Sequence, residues 1–377
     1  MLNLLFCGDT VATPDNAELF ARGDVDSLFA DVAPLFRQAD RVIVNLECAL
    51  TNADRPIRKC GPNLKGPPES ARTLARAGIT DCALANNHML DFGVDGMRDT
   101  LRALEDARLG WFGAGENEAD SRRELLVEKD GLRVAVLAVA EHEYSYALPD
   151  QPGATPFDPF DTLCDVARLK QTYDAVVVLY HGGKEHCEYP SPRLRKACQA
   201  MARMGADLVL CQHSHIIGCA ETHGASTILY GQGNFHFVRS AYAGAPGWNA
   251  GLMVHAAFSP HLTVAYTPVV AGKQGIRLAQ GDEKQALLDG FAARSQRLAD
   301  GGALAEWTAF CQRVKETYLA SVRDAFSHPD DPQQLERFAH YLDCEAHTDV
   351  YRTLFPTWHA AHTDGAAEST KAQKSPT

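Results

Sequence analysis

Apolar and polar positions follow two patterns along roughly the first 270 residues. Short runs rich in Val, Ile and Leu recur with little alternation, as in strands that are buried on both faces. Segments with apolar residues at helical spacing lie between them, which predicts an α/β architecture. The predicted strands are 2–7, 41–45, 81–85, 132–140, 175–180, 207–210, 227–230 and 252–258, and the predicted helices are 25–38, 68–77, 93–107, 161–173 and 191–204.

The pattern changes after about residue 280, where long helical segments replace the strand signals. Helices are predicted at 284–299, 303–325 and 333–342, with Trp307, Phe310 and Tyr318 in a small core. The stretch from about His362 is polar and rich in Ala and Lys, which is typical of disorder. The predicted organisation is an α/β domain at 1–275, a C-terminal helical appendage at 276–361 and a disordered tail at 362–377.

Five predicted strands end directly in residues that can bind a metal or take part in catalysis. In open α/β sheets, ligands gather outside the carboxyl ends of the strands. We therefore expect these side chains to meet at one edge of the sheet. The candidates are Asp9, Glu47, Asn87, His88, His181, His213 and His215.

The chemistry of this set indicates a divalent metal centre. Imidazole and carboxylate groups are ligands of Zn, Mn and Fe, and no cysteine is among the candidates, which excludes a structural cysteine-type zinc site. His213 and His215 are expected on the same side of an extended segment, so that both can reach one small volume. A carboxylate such as Glu47 can bridge two ions about 3.5–4 Å apart.

Composition and charge narrow the range of partners. The chain has 377 residues, of which 45% are hydrophobic, so a sizeable core is possible. The formal net charge of −12 argues against nucleic acid, which proteins bind through Lys and Arg. An anionic substrate would need a local cation, and a bound metal supplies one.

The N-terminal residues and the cysteines favour a cytoplasmic protein without a membrane anchor. The chain begins without a basic, apolar or small-residue signal, and no segment has the roughly 18–20 apolar residues that a membrane helix needs. The eleven cysteines have no C-x-x-C pair or framework spacing, which is typical of free thiols in a reducing compartment.

Six short motifs occur in an order that resembles a known family over residues 1 to about 240. They are similar to motifs of the poly-γ-glutamate capsule biosynthesis (CapA-like) family, a branch of the calcineurin-like metallophosphoesterases. The segment Asn-Asn-His followed by Asp-x-Gly is specific to this branch. The motifs lie at residues 8–9, 45–47, 85–93, 181–183, 212–215 and 231–235.

The resemblance implies a fold and a set of roles. The fold is a metallophosphoesterase-like four-layer α/β/β/α sandwich with metals at the strand ends, to which the C-terminal helices are appended. His88 is implied to be an outer-sphere acid that protonates the leaving group. Carried over position by position, the resemblance assigns Asp9 and His215 to one metal site, Asn87, His181 and His213 to the other, and Glu47 to the bridge between them.

One position departs from the family pattern. Metallophosphoesterases usually have a ligand histidine two residues after the first Asp, where this chain has Val11. The first metal site is therefore short of a ligand. The sequence leaves open whether one ion or two bind.

Several polar residues near the motifs have two possible roles. The Glu-His-Glu segment at 141–143 is either part of a substrate wall or second shell, or an ordinary polar loop. Lys184 and Glu185 either hold substrate carboxylates or pair with each other in solvent. Arg58 and Lys65 either bind an anion or belong to a solvated loop.

Two further residues are assigned structural roles. Asp91 is expected to cap the helix predicted at 93–107. Asn234 is expected to set a turn that closes the site, with neighbouring glycines allowing the backbone to approach.

The leading hypothesis is a metal-dependent hydrolase. It would use a metal-activated water on a phosphoester, or on an amide or other bond of an anionic small molecule or polymer related to poly-γ-glutamate or capsule. The alternative is a non-catalytic metal- and anion-binding subunit of a synthesis complex. His88, which is not expected to bind metal, favours the first, and Val11 favours the second.

Overall fold

A computed structural model describes residues 1–259 and 261–356 of the protein. The tail predicted to be disordered at 362–377 lies outside the described residues. The eight strands predicted from the sequence are all present, with bounds that differ by a few residues.

Strands and helices follow one another along the described residues, joined by loops, with a short 3-10 helix at Ser240–Tyr242. The strands are β1 (Leu2–Thr10), β2 (Arg41–Leu46), β3 (Ala49–Leu50), β4 (Lys65–Gly66), β5 (Asp81–Ala83), β6 (Gly110–Phe112), β7 (Ala114–Gly115), β8 (Leu125–Lys129), β9 (Leu132–Ala140), β10 (Gly153–Ala154), β11 (Ala175–His181), β12 (Leu208–Gln212), β13 (Ile217–His223), β14 (Ser226–Gln232), β15 (Asn234–His236), β16 (Ala250–Ser259), β17 (His261–Ala271) and β18 (Ile276–Leu278). The helices are α1 (Ala17–Arg22), α2 (Val25–Phe29), α3 (Ala33–Phe36), α4 (Ser70–Ala77), α5 (Gly93–Asp106), α6 (Glu118–Ser121), α7 (Pro159–Thr172), α8 (Pro192–Met204), α9 (Gly281–Ala299), α10 (Ala303–Ser327), α11 (Pro332–Asp343) and α12 (Glu345–Leu354).

Two mixed sheets contain most of the strands. The first has the order β18-β17-β16-β1-β2-β5-β6, and β15 also pairs with β1. The second has the order β13-β14-β12-β11-β9-β8. The central strands of each sheet run parallel, namely β1, β2, β5 and β6 in the first and β9, β11, β12 and β14 in the second. Antiparallel strands complete the edges.

Three apolar clusters define four layers. Between the sheets, Phe6 and Ile43 of the first share a cluster with Val177 and Leu210 of the second. The outer face of the first sheet packs against α1–α5, and the outer face of the second packs against α7 and α8. The four-layer α/β/β/α sandwich implied by the resemblance is therefore confirmed. It also explains why the strands showed little alternation, since both faces of the central strands are buried.

The prediction of a single helix at 25–38 is wrong. The segment forms two short helices, α2 and α3, and Ala30 between them has a φ of +38°. Pro34 lies in the first turn of α3. In a continuous helix this proline would remove one hydrogen bond and clash with the preceding turn, so a new helix begins there instead.

The C-terminal helices are present, as predicted, together with an additional one, α12. Helix α9 packs against β13 and β17 of the two sheets, and α10–α12 pack around Trp307, Tyr318 and Val350. Strand β18 still pairs with β17. The division of the chain at residue 275 stays a prediction. Within the described ranges, none of the helices combines the length and the apolar character that crossing a bilayer requires.

Candidate metal centre

Four strands end at the same edge of the sandwich, where the loop after β5 also lies. They are β1, β2, β11 and β12. The polar side chains at these ends are buried, each with at most 6% of its surface exposed. The structure brings together all six predicted metal ligands, Asp9, Glu47, Asn87, His181, His213 and His215.

The donor atoms form two groups in which each atom lies within 4.8 Å of the others. One group contains Glu47, His181 and His213, and the other contains Asp9, Glu47 and His215. Glu47 belongs to both, which is the position that a bridging carboxylate needs. Asn87 adjoins the first group, because its Oδ1 lies 3.0 Å from His181 Nε2.

Glu47 provides the test of whether a cation fits. Its carboxylate is fully buried, and neither oxygen has a hydrogen-bond partner among the described residues. Burial raises the pKa of the Glu47 carboxyl to about 8, and the charge of Asp9 adds to this effect. A buried carboxylate is costly unless it is paired or binds a metal. The donor set therefore fits a divalent cation beside Glu47.

Asp9, by contrast, is well supplied with hydrogen-bond donors. Its Oδ1 accepts a hydrogen bond of 2.8 Å from Asn45 Nδ2, and its Oδ2 accepts one of 3.2 Å from the backbone N–H of His213. Burial raises the pKa of Asp9, but the hydrogen bond and charge of His215 outweigh burial and lower it below its usual range. Asp9 is thus held as an anion.

His181 lies at the centre of the first donor group. Its Nε2 lies 3.1 Å from His213 Nδ1, and its Nδ1 lies 3.0 Å from Asn45 Nδ2. Burial lowers the pKa of His181 to about 4 and also lowers that of His213. Both imidazoles are therefore neutral at pH 7, which is the form that binds metals.

The expectation that His213 and His215 lie on an extended segment is wrong. Both residues have positive φ, +84° and +58°, and they follow β12 in an irregular turn. This conformation places His213 in one donor group and His215 in the other, with ring centroids 5.8 Å apart. Such backbone strain in residues other than glycine costs about 1–3 kcal/mol each and is often found at functional sites.

The turn role expected for Asn234 is also wrong. Asn234 lies in β15, where its Oδ1 is 3.0 Å from His215 Nδ1 and its Nδ2 donates to the backbone carbonyl of Trp248. Gly233, with a φ of +76°, makes the bend instead. Asn234 therefore orients a candidate ligand, as groups outside the metal's own ligand shell commonly do.

His88 lines the cavity next to the metal centre and forms part of a charged cluster. Its Nδ1 lies 2.6 Å from Asp91 Oδ2, and Lys59 Nζ lies 2.6 Å from Asp91 Oδ1. Burial lowers the pKa of His88, and the charge of Lys59 lowers it further. The capping role expected for Asp91 is wrong, because α5 has Phe92 as its N-cap without a side-chain hydrogen bond. The carboxylate of Asp91 instead contacts His88 and Lys59 and accepts a hydrogen bond from the backbone N–H of Leu64.

Val11 lies in the apolar core rather than at the metal centre. It is 1% exposed, and its backbone N–H donates to the carbonyl of His236. His236 itself packs between Phe20 and Phe29 and does not replace the missing ligand. Within the described ranges, the donor group of Asp9 thus contains two further side chains, Glu47 and His215.

A cavity of about 570 Å³ opens beside Asn87 and His88. The loop at 141–143 contributes Glu143, whose Oε2 lies 3.0 Å from Asn87 Nδ2 and 3.6 Å from His213 Nε2. The other oxygen, Oε1, lies 3.3 Å from Nε2 of His340 in α11. Glu143 therefore links the candidate ligands to the C-terminal helices.

Sequence reasoning missed several residues of the site. Asn45 and Asp91 lie within the family motifs at 45–47 and 85–93. Nothing in their spacing showed that Asn45 contacts Asp9 or that Asp91 contacts His88. Lys59 had no signal beyond its neighbour Arg58, which instead pairs with Glu336. His340 had no signal at all, because it reaches the site only through the packing of α11.

Comparison with known proteins shows the family of the chain. The model of the family described as "Bacterial capsule synthesis protein PGA_cap" matches residues 3–239. The chain belongs to this family. The resemblance found in the motifs is confirmed, and the matched region ends before the C-terminal helices begin.

Two curated PGA_cap relatives show the extent of the similarity. The chain is 31% identical over 245 residues to the capsule biosynthesis protein CapA of Bacillus anthracis, covering 63% of this chain and 60% of that protein. It is 29% identical over 250 residues to a "probable polyglutamine synthesis accessory protein" of Mycobacterium tuberculosis, covering 63% of each. The chain thus spans less than two thirds of either relative.

Among solved structures, the calcineurin-like phosphoesterase YfkN of Bacillus subtilis is similar with a TM-score of 0.40 and 13% identity. The similar part covers 78% of this chain and 97% of that one.

Proposed function

We propose that this PGA_cap protein is a metal-dependent hydrolase that acts on an anionic substrate. The bond is a phosphoester, or an amide or other bond of a small molecule or polymer related to poly-γ-glutamate or capsule. One or two divalent cations, Mn, Zn or Fe, would be held by Asp9, Glu47, Asn87, His181, His213 and His215.

The observation that carries the proposal is the environment of Glu47. Its two oxygens are buried without a hydrogen-bond donor from the described part of the chain, and they lie between two groups of imidazole and carboxylate ligands. A purely structural carboxylate at this place would need donors, as Asp9 has. A bound cation would supply an activated water and charge stabilisation at this position.

His88 supports turnover rather than binding alone. It lines the cavity without belonging to either donor group. Asp91 engages its Nδ1, which fixes the ring and leaves Nε2 available for proton transfer, and the protonated ring would donate to a leaving group. Asp91 is in turn held by Lys59, so the orientation of His88 does not depend on the substrate.

The anionic substrate class is supported by the names of the relatives and by the resemblance to the poly-γ-glutamate family. Their names refer to capsule and polyglutamine synthesis, and poly-γ-glutamate is an anionic polymer. The chain has a formal net charge of −12, so an anionic substrate needs local cations. A cytoplasmic site of action belongs to the same proposal, supported by eleven cysteines that are free in the described part of the chain.

The second candidate is a non-catalytic metal- and anion-binding subunit of a capsule or polyglutamate synthesis complex. The position of Val11 favours it, because one donor group then has a ligand fewer than expected. The accessory role in the name of the mycobacterial relative points in the same direction.

The first test is the metal content of the purified protein, measured by elemental mass spectrometry after reconstitution with Mn²⁺ or Zn²⁺. We expect one to two equivalents in the wild type and less than about 0.2 equivalents in the His213→Ala/His215→Ala double variant. The matched control is His261→Ala/His328→Ala, which removes two exposed histidines and should leave the metal content unchanged.

Hydrolysis is then measured on aryl phosphoesters and γ-glutamyl amides. Metal-dependent turnover that falls at least about 100-fold in His88→Asn, with metal content retained, would support the hydrolase. Metal binding without turnover on either substrate class would favour the second candidate. A wild type that takes up no metal would rule out both.

A further inference from the structure

The cavity beside the metal centre is built by two parts of the chain. One wall comes from the PGA_cap region and includes Asn87, His88 and Lys184. The other wall comes from α11 and α12, which lie beyond the matched residues 3–239. The C-terminal helices therefore shape the space in which a substrate would lie next to the candidate ligands.

Three of the Lys, Arg and Glu side chains that line this cavity have strong partners within the protein, and the other three are Glu143, Lys184 and Glu185. Lys59 Nζ lies 2.6 Å from Asp91 Oδ1. Arg337 donates to Asp324 over 2.9 Å, and Glu336 accepts from Arg58 over 2.5 Å. These groups are already neutralised, so they contribute little net charge to a bound molecule.

Lys184 is different. It lies on the cavity wall with its side chain 11% exposed, and its Nζ makes no hydrogen bond to the described residues. The nearest carboxylate oxygen belongs to Glu185 at 3.6 Å, and that side chain is 42% exposed. Burial lowers the pKa of Lys184, but Glu185 and Glu143 outweigh this effect and raise it above its ordinary value. Lys184 is thus a mostly buried ammonium group with unused donors.

The aromatic rings that α11 and α12 add to the wall, those of His340, Tyr341 and His347, are neutral. Burial lowers the pKa of His340 to about 4 and also lowers that of His347. Tyr341 stacks on His347 with ring centroids 4.1 Å apart, which fixes both rings. These three rings offer polar edges and flat faces without a charge of their own, and Lys184 provides the unpaired donors.

We propose that Lys184 and the α11–α12 wall form an anion-binding subsite that holds a carboxylate or phosphate group of the substrate. This inference rests on the proposed function, because the subsite lies beside its metal centre. A buried ammonium group with free donors is stabilised by a compact anion, which both chemistries provide. The predicted pairing of Lys184 with Glu185 is present at 3.6 Å, but Lys184 is mostly buried rather than in solvent.

The test is calorimetric titration of the full-length protein with inorganic phosphate and with γ-glutamylglutamate. Each probe is measured on metal-free protein in EDTA and on manganese-loaded protein. We expect Lys184→Met to raise the Kd of at least one probe by 10-fold or more in both forms. Lys184→Arg should stay within about threefold of wild type, because it keeps the charge.

The matched control is Lys196→Met, which removes an exposed lysine of α8 outside this cavity and should change neither Kd. If only the Kd of phosphate depends on Lys184, the substrate group is a phosphate. If only the Kd of the dipeptide depends on it, the substrate group is a carboxylate. If Lys184→Met does not fold, Lys184→Gln replaces it.

Equal Kd values for wild type and Lys184→Met with both probes would overturn the subsite, as would a wild type that binds neither probe. Hydrogen exchange in α11–α12 should slow when the probe binds, and unchanged exchange would remove these helices from the subsite. Metal content measured on the same samples separates the two proposals. Loss of metal binding refutes the proposed function, whereas the titration in EDTA reports on Lys184 alone.

Discussion

At the scale of single residues, the centre depends on side chains that are poorly satisfied within the protein. Glu47 lacks donors for both oxygens, whereas its neighbour Asp9 has several. His213 and His215 adopt backbone conformations that residues with a Cβ atom rarely adopt. These features cost folding free energy, and binding of a cation would compensate for that cost.

Replacement of Glu47 by Gln should separate the folding cost of the buried carboxyl from the stabilisation that a bound cation would provide. In EDTA at pH 7, we expect Glu47→Gln to be more stable than wild type by about 1–3 kcal/mol, because burial makes the Glu47 carboxyl take up a proton on folding, and neutral Gln avoids that cost. In Mn²⁺ at 100 times its Kd, the wild type should gain about 2.7 kcal/mol, and the variant should gain much less. Urea unfolding with and without EDTA measures both values.

Glu128→Gln is the matched control, since Glu128 is exposed on β8. It should behave like wild type in both conditions. A Glu47→Gln variant that is less stable than wild type in EDTA would mean that Glu47 has a structural partner, and it would weaken the metal assignment.

At the scale of elements, the attachment of α12 to the sandwich depends on a titratable pair. His142, in the loop after β9, has its Nδ1 2.7 Å from Glu345 Oε1, and its backbone N–H donates to Glu345 Oε2. The hydrogen bond to Glu345 raises the pKa of His142, against the effect of burial. For Glu345, burial raises the pKa, but the hydrogen bond and charge of His142 lower it overall.

The stability that this pair contributes should depend on pH. Because the folded state raises the pKa of His142, its contribution is complete below the unfolded value of about 6.5 and is lost as pH rises through the folded value. The contribution of Glu345 is lost as pH falls through its lowered pKa. The difference in free energy of unfolding between wild type and His142→Asn should therefore be larger at pH 6 than at pH 9.

The difference is expected to stay below about 1 kcal/mol, because both side chains are partly exposed. Paired urea titrations at the two pH values measure it, with His261→Asn as an exposed control. A difference that is independent of pH would show that the backbone hydrogen bond, rather than the charge of His142, holds α12.

The elements that could be predicted from the sequence are those with a local cause. The strand ending in His181 is a run of Val and Leu that needs no distant information, and Pro34 could have indicated where the helix at 25–38 breaks. The convergence of Asp9 and Glu47 followed from a general rule of parallel sheets. Contacts of His340 and Asn234 depend on how distant segments pack, so periodicity and spacing did not reveal them.

At the scale of the whole molecule, the C-terminal helices have a core of their own. Trp307 is fully buried, stacks near Phe310 and donates through Nε1 to Thr353 over 2.8 Å. This cluster is separate from the three that hold the sandwich together. The helices contact the sandwich through ion pairs such as Arg193 with Asp349.

Trp307→Ala should therefore destabilise the C-terminal helices and leave the sandwich unchanged. We expect a local cost of about 3–5 kcal/mol and faster hydrogen exchange in α10–α12, with exchange in β1, β2 and β11 unchanged. Metal content should also stay at the wild-type level. Hydrogen-exchange mass spectrometry of both parts measures the effect.

Leu304→Ala on the same helix is the control, because Leu304 is 60% exposed and should leave exchange unchanged. Equal acceleration in the sandwich strands of Trp307→Ala would show that the two parts unfold as a single cooperative unit.

The cavity wall that α11 and α12 provide also has a consequence for synthesis. Ribosomes add roughly 5–20 residues per second, and the strands that carry Asp9, Glu47, His181 and His213 emerge before the helix that carries His340. The proposed ligands can thus come together several seconds before Glu143 acquires its last neighbour. During this interval the candidate metal centre of the nascent chain would be open, and the proposed subsite would be incomplete. Metal delivery can then precede substrate binding, so loading during translation would avoid competition between the two.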